Sequence, residues 1–306
     1  MELGMIGLGR MGANMGERLL QGGHRVVGHD LQADARTRFV QLGGQAAATL
    51  DELLQQLTPP RVVWLMVPAG TVTEATITAL LPGLAAGDTL IDGGNSHFAD
   101  SRRRAALAAA RSVQYLDCGT SGGVWGLKEG YSLMVGGDAA TVARLAPLFA
   151  TLAPAADRGW GRVGPSGAGH YAKMIHNGIE YGMMQAYAEG LAVLEKEHES
   201  GFDLHQVVEI WRHGSVVRSW LLDLIAHALE GDAHLRDIAP FVADSGEGRW
   251  TLQEAMRLDV PTPVIALSLL ERFRSREGNS FADRLLAAMR NQFGGHAVVR
   301  ARPPAG

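Results

Sequence analysis

Four residues near the middle of the chain are spaced for chemistry. Lys173, His176, Asn177 and Glu180 stand at i, i+3, i+4 and i+7. On a helix that spacing puts them on one face. Met174, Ile175, Ile179 and Met183 supply apolar flanks. A lysine and a carboxylate within two turns on a semi-buried face are placed for proton transfer. Burial and a neighbouring positive charge lower a lysine's pKa, which lets it act as a base near neutral pH. The competing reading, a solvated face with an ordinary surface lysine, fits the apolar flanks less well. The same stretch carries Gly178, Gly182, Ala186 and Gly190 at intervals of four. Mid-helix glycine costs about 1 kcal/mol relative to alanine. Close helix packing is the preferred reason for the stripe, with room for a flat ring at Gly178 and Gly182 as the alternative.

A second signal lies at the N-terminus. Gly7-Leu8-Gly9-Arg10-Met11-Gly12 is G-x-G-x-x-G, between a predicted strand and a predicted helix. Gly7 permits the tight turn, Gly9 lets a pyrophosphate approach the backbone, and Gly12 allows close helix–strand packing. Asp30 ends the second predicted strand, about twenty residues on. Its carboxylate suits the ribose hydroxyls of NAD and repels the 2′-phosphate of NADP. Leu31 follows, where an NADP site often has arginine. NAD is therefore favoured over NADP, although Arg36 and Arg38 are near enough in sequence to fold back. The bland alternative is that Asp30 only caps the next turn. Val67, closing the predicted strand Arg61–Val67, and Asn95 are further cofactor candidates.

The elements that must position these groups are legible in outline. Strands are expected at Leu3–Gly7, Arg25–His29, Arg61–Val67, Asp88–Asp92, Val113–Asp117 and Tyr131–Val135, with helices between them. Thr49-Leu50-Asp51-Glu52 has capping-box spacing. Short apolar strands alternating with helices predict a parallel sheet covered on both faces. Beyond Gly164-Pro165-Ser166-Gly167 the pattern is helical throughout, beginning with Ala168–Glu197. The expected architecture is an α/β Rossmann-type doubly wound domain over 1–165, followed by an all-α helical domain over 166–306.

Composition narrows the function. The 306 residues are 46% hydrophobic and 20% charged, an ordinary globular balance. Lys and Arg number 28 against 32 Asp and Glu, for a net charge of −4. That balance gives no general pull on nucleic acid or an anionic membrane, and neither is expected as a partner. No apolar run approaches the ~20 residues of a membrane span, and the N-terminus lacks a signal-peptide pattern. The single cysteine, Cys118, excludes an intramolecular disulfide and a cysteine-based metal site, and fits a cytoplasmic location. No metal-ligand constellation is apparent.

Two loops add binders at the expected carboxyl edge of the sheet. They are Asp92-Gly93-Gly94-Asn95-Ser96 and Ser121-Gly122-Gly123. Ser121 and Asn95 are suited to a substrate carboxylate or hydroxyl, unless the two loops are merely turns.

Taken together the motifs resemble a known family. Gly4-Met5-Ile6-Gly7-Leu8-Gly9-Arg10-Met11-Gly12, Asp117-Cys118-Gly119-Thr120-Ser121-Gly122-Gly123 and Gly167-x-Gly169-x-x-x-Lys173-x-x-x-Asn177 are similar to signatures of the β-hydroxyacid dehydrogenase superfamily. Lys173-Met174-Ile175-His176-Asn177-Gly178-Ile179-Glu180-Tyr181-Gly182, Gly246-Glu247-Gly248-Arg249-Trp250-Thr251 and Arg290-x-x-Phe293-Gly294-Gly295-His296 resemble its decarboxylating 6-phosphogluconate dehydrogenase branch, in the short-chain NAD-type form. The resemblance implies oxidation and decarboxylation of 6-phosphogluconate with NAD, a step of the pentose phosphate pathway. It implies Lys173 as general base and Glu180 as general acid. Asn95, Ser121, Gly122, Gly123, His176, Asn177 and Tyr181 would hold the sugar acid. Arg272 and Arg290 would bind the 6-phosphate, with His296 closing the site, and Arg249 is a further substrate-binding candidate. Arg249 departs from the lysine usual in the family's long form. The tail arginine and histidine act on a neighbouring subunit in that family, so a homo-oligomer, dimer or tetramer, is expected. The rival readings are an NAD-dependent dehydrogenase of a short 3-hydroxy acid and a non-catalytic NAD-binding regulator.

Overall fold

The computed structural model describes residues 1–294 and 297–299. Strands β1 (Glu2–Ile6), β2 (Arg25–His29), β3 (Gln45–Ala47), β4 (Val62–Leu65), β5 (Thr89–Asp92), β6 (Gln114–Ser121), β7 (Ser132–Gly136) and β8 (Trp160–Gly164) form one sheet. Its order is β3-β2-β1-β4-β5-β6-β7-β8. Neighbours pair in parallel except β6 and β7, which are antiparallel. Around it lie α1 (Arg10–Gln21), α2 (Ala33–Gln41), α3 (Leu50–Gln55), α4 (Thr71–Leu80), α5 (Phe98–Ala109), α6 (Gly126–Glu129), α7 (Ala139–Arg144) and α8 (Ala146–Leu152). Then come α9 (Ala168–Lys196), α10 (Leu204–Arg212), α11 (Trp220–Leu229), α12 (Glu247–Arg257), α13 (Pro263–Arg274) and α14 (Phe281–Gly294). The chain divides into two compact units inside α9, between Asn177 and Gly178.

Both faces of the sheet are covered. Along β4, Val62 and Trp64 enter one apolar cluster with Met5, Leu116 and Phe149, whereas Val63 and Leu65 enter another with Ile77, Leu80 and Leu90. That alternation is the period-two pleat of a strand buried on both sides. Two strands lay outside the sequence expectation. β3 is three residues, Gln45-Ala46-Ala47, without a β-branched side chain, and glycines punctuate the edge strand β8. At α3 the capping signal holds in part. Thr49 accepts from the Glu52 amide, and the Glu52 carboxylate accepts from Ala48 rather than from the cap itself.

The helix that carries Lys173 is pinned to the sheet by a buried carboxylate. Asp117 of β6 accepts the Gly167 amide at 2.6 Å and the His170 amide at 2.9 Å. Amides in the first turn of a helix have no partner within it, so Asp117 supplies one from the sheet. The approach is backbone to backbone. A Cβ on Gly169 would collide with the carbonyl oxygens of Asp117 and Met134. One on Gly136 would sit 2.7 Å from the Gly169 nitrogen. Gly167 turns into the helix at φ +92°, a region that favours glycine. His170 is also fixed by a 2.7 Å hydrogen bond to Ser101 of α5.

Every regular element of the second unit among the described residues is a helix. Leu204, Val208, Leu222, Ala226 and Leu229 form its small core between α10 and α11. The glycine stripe packs closely where it meets neighbours: a Cβ on Gly178 would press on Thr251, and one on Gly182 would sit 3.3 Å from Val264. Gly190 faces open space.

Replacement Gly169→Ala is expected to destabilise the protein by about 1–3 kcal/mol, the usual range for overpacking. Urea denaturation should show a lower midpoint at an unchanged slope.

Candidate active site

At the carboxyl end of β1 the glycine loop has the geometry that its spacing implies. Gly7 adopts φ +90°, and any Cβ there would meet the Met66 carbonyl. Gly12 leaves no room for a side chain against the Gly7 carbonyl. Gly9 precedes α1 and faces open space, so the start of α1 has a cradle bounded by backbone rather than by a side chain. That cradle fits a pyrophosphate at a helix N-terminus. Leu8 is buried, while Arg10 is exposed and Met11 half-buried. The Leu8 amide donates to Asp30 Oδ2 at 2.8 Å, which ties the loop to the end of β2. Asp30 Oδ1 accepts the Gln32 amide, so the carboxylate also caps the turn that follows. Leu31 is 91% exposed and offers no cation there. Arg36 does fold back, but onto the Asp30 and Leu31 carbonyls, at 2.6 and 3.2 Å.

Parallel neighbours β1, β4, β5 and β6 bring their carboxyl ends to one edge. Val67 and the Asp92–Ser96 loop therefore stand beside the glycine loop, and a Cβ on Gly94 would lie 2.9 Å from the Val67 carbonyl. Asn95 is exposed, between buried residues on both sides. Ser121 ends β6, and Gly122 and Gly123 follow with φ of +132° and +51°. Further back on β6, Gly119 has no side chain because the Lys173 side chain packs there. Lys173 and Asn177 are buried, and His176 is half-buried. The Lys173 Nζ lies 3.4 Å from His176 Nδ1, and that nitrogen lies 3.0 Å from Asn177 Oδ1. Lys173 is thus the buried end of a short polar chain on α9. Cys118, between Asp117 and Gly119, is buried, and burial pushes its thiol pKa well up, so it is inert.

The second unit gathers a different chemistry. Tyr181 is buried and donates or accepts at Ser245 Oγ, 3.2 Å away, while its oxygen accepts the Ser245 amide at 3.0 Å. The Arg272 guanidinium lies over the Tyr181 ring, 3.6 Å from its centroid, and donates to the Ala243 carbonyl. Arg249 stacks on Phe273 at 4.4 Å and forms a two-point ion pair with Asp244. Arg276, which sequence reasoning did not single out, donates to Oδ1 of the same carboxylate at 2.8 Å, an oxygen it shares with Arg249. Arg249 and Arg276 thus share Asp244 and the Phe273 ring, while Arg272 lies on Tyr181. Glu180 is half-buried on α9. Arg290 is exposed on α14, and His296 lies outside the described residues. Asp244, Arg276 and the buried anchors Asp92 and Asp117 were missed because each has a partner that lies well along the chain: Asp244 and Arg276 in each other, Asp92 in Arg104 and Tyr115, and Asp117 in the start of α9.

A parallel sheet opened by a glycine loop, with an acid at the end of β2 and a buried lysine on the helix that follows the sheet, defines a nicotinamide-dinucleotide dehydrogenase. More narrowly, the chain belongs to the 6-phosphogluconate dehydrogenase family. Residues 2–161 match the family's NAD binding domain and residues 169–284 its C-terminal domain. A Haloferax volcanii NAD(+)-dependent, decarboxylating 6-phosphogluconate dehydrogenase is 46% identical, over 98% of this chain and 99% of the relative. Plasmodium falciparum 6-phosphogluconate dehydrogenase superposes with a TM-score of 0.83 at 27% identity, over 100% of this chain and 67% of that one. The same fold occurs in a 3-hydroxyisobutyrate dehydrogenase from Salmonella typhimurium, with a TM-score of 0.74 at 22% identity, over 90% of this chain and 95% of that one.

Hydrogen bonds from Arg249, opposed by burial and aided by Arg276, hold the Asp244 carboxyl pKa at about 2, against an ordinary 3.8. A depressed carboxylate stabilises the fold above its unfolded pKa, and that contribution is lost as pH falls through the folded value. Asp244→Asn should therefore lower the melting temperature near neutrality, with the deficit shrinking between about pH 4 and about pH 2. Paired thermal melts across that window check this; a deficit constant with pH would contradict it.

Proposed function

We propose that the chain oxidises 6-phosphogluconate with NAD and releases CO2, giving ribulose 5-phosphate. The observation that carries the reading is Lys173: buried, seated against β6 at a glycine and two turns before Glu180 on one helix. NAD, when bound, supplies the acceptor for the hydride that leaves C3. Lys173 takes the proton from the C3 hydroxyl, which leaves a ketone β to the carboxylate. Now an ammonium, Lys173 polarises that ketone as the C1–C2 bond breaks and the ketone receives its electrons. Lys173 gives its proton to the ketone oxygen to form the enediol; Glu180 then protonates the terminal carbon, which becomes C1 of the product, as Lys173 takes the hydroxyl proton back and the ketone forms. Asn95, Ser121, Gly122, Gly123, His176 and Asn177 hold the sugar acid. Tyr181 holds the sugar acid with them, Arg249 is a further substrate contact, and Arg272 receives the phosphate, since a guanidinium matches it in shape and charge.

The division of labour follows the sequence: 1–165 for the cofactor, 166–306 for the substrate and assembly. The protein works as a homo-oligomer in the cytoplasm, with Arg290 and His296 completing the phosphate site of a neighbouring copy. In support, α14 presents Phe281, Leu285, Leu286 and Met289 to solvent along an exposed face.

Initial-rate kinetics with CO2 trapping test the whole reading. Lys173→Met should lower kcat by about 10²–10⁴-fold, the usual contribution of general acid–base catalysis, while NADH still binds. Substantial residual turnover would remove Lys173 from the mechanism. Asp30→Ser should raise the ratio of NADP to NAD efficiency by about tenfold or more, through loss of the repulsion at the 2′ position. An unchanged ratio would reduce Asp30 to a turn cap.

A further inference from the structure

A buried ion pair at the same sheet edge has no part in the steps above. Asp92, the last residue of β5, is 0% exposed, and Arg104 of α5 is 1% exposed. The Arg104 Nη1 donates to Asp92 Oδ2 at 3.1 Å and to Ser96 Oγ at 3.0 Å. Asp92 Oδ2 also accepts from Ser96 Oγ at 2.8 Å and from the Tyr115 hydroxyl of β6 at 3.0 Å. Its other oxygen accepts the Gly94 amide at 3.2 Å. Arg104 is itself steadied by its Nε, which donates to Glu74 of α4 at 3.0 Å.

Stability alone is a poor reason for this arrangement. Removing two charges from water is costly, and apolar residues of similar volume often serve the fold as well or better. What the network does is geometric. Groups from the loop, β6 and α5 converge on the one carboxylate at the end of β5, and that carboxylate grips the loop on either side of position 95. Behind the loop, a Cβ on Gly93 would strike Trp64 and Met66, and one on Gly94 would crowd the Val67 carbonyl. The loop therefore has no room to move toward the sheet. Its exposed residue is Asn95.

We propose that Asp92 and Arg104, bridged by Ser96, are positioning residues that fix Asn95 in the orientation needed for catalysis. The proposal rests on the reading of Asn95 as a ligand of substrate and cofactor. Satisfied buried networks rigidify the segment they hold, and a displacement of about 1 Å at a positioning group can cost about 10²-fold in rate.

The test is a double-mutant cycle on the full-length enzyme. kcat and KM for 6-phosphogluconate are measured for Asn95→Ala, Ser96→Ala, Arg104→Met and the pairs of each with Asn95→Ala. Melting temperatures are taken in parallel. Ser96→Ala and Arg104→Met are expected to lower kcat/KM by about tenfold or more, and by less than about twofold once Asn95 is already alanine. Losses of equal size in both backgrounds overturn the proposal, because a merely structural role adds to the Asn95 loss instead of being absorbed by it. Should Arg104→Met fail to fold, Ser96→Ala and Tyr115→Phe carry the same cycle. If Asn95→Ala alone leaves kcat/KM unchanged, the reading of Asn95 fails, and the proposal with it.

Discussion

A helix can carry a lysine into the edge of a sheet only where nothing stands between the two backbones. That constraint is met at the start of α9. Gly169 faces the Asp117 and Met134 carbonyls, Gly136 faces Gly169, and Gly119 leaves space for the Lys173 stem. Any side chain at these points would push the helix away. The Asp117 carboxylate then converts proximity into attachment, because it answers the Gly167 and His170 amides that no helical carbonyl can reach. The depth of Lys173 follows from that seat. So does its distance from solvent.

The fold was legible where one physical signal dominated. The continuous apolar run in β4 marks a strand buried on both sides, and its placement between helices leaves few topologies open. The signal failed where strands were short or at the edge. β3 borrows its stability from pairing with β2, and β8 pairs only with β7, so neither needs a strong strand former. The reversed direction of β7 was also hidden. β6 and β7 are joined through a short turn and α6 rather than a long crossover helix, and a short connection suits antiparallel neighbours.

The site divides in the same way. Helical spacing placed Lys173, His176 and Asn177 together, because α9 is regular and its period is fixed. The glycine loop was legible because each glycine has a separate steric reason. Asp30 showed two uses rather than one: it serves the glycine loop through Leu8 and the following turn through Gln32. Arg36 folds back as its nearness in sequence allowed, yet it settles on carbonyl oxygens beside Asp30. What stayed hidden were the carboxylates that organise rather than react. Asp92 and Asp117 each stand in a motif that drew attention for its glycines and serines. Their meaning depends on Arg104 and on the α9 amides, which only the folded chain brings near.

Substrate choice is a separate matter from fold, since one architecture serves dehydrogenases of different acids. Arginine at position 249 departs from the lysine usual in the long form of the family, and its surroundings suit that change. A planar guanidinium can stack on Phe273 and pair with both oxygens of Asp244, which a lysine ammonium cannot do. Asp244 is in turn shared with Arg276, so its single negative charge is divided between two cations. Arg272 makes no ion pair among the described residues; a carbonyl oxygen, a thioether and a tyrosine face hold it. The cluster thus carries more positive charge than its own carboxylate neutralises. A dianionic phosphate would supply the missing charge, whereas a short hydroxy acid has no second anionic group to offer.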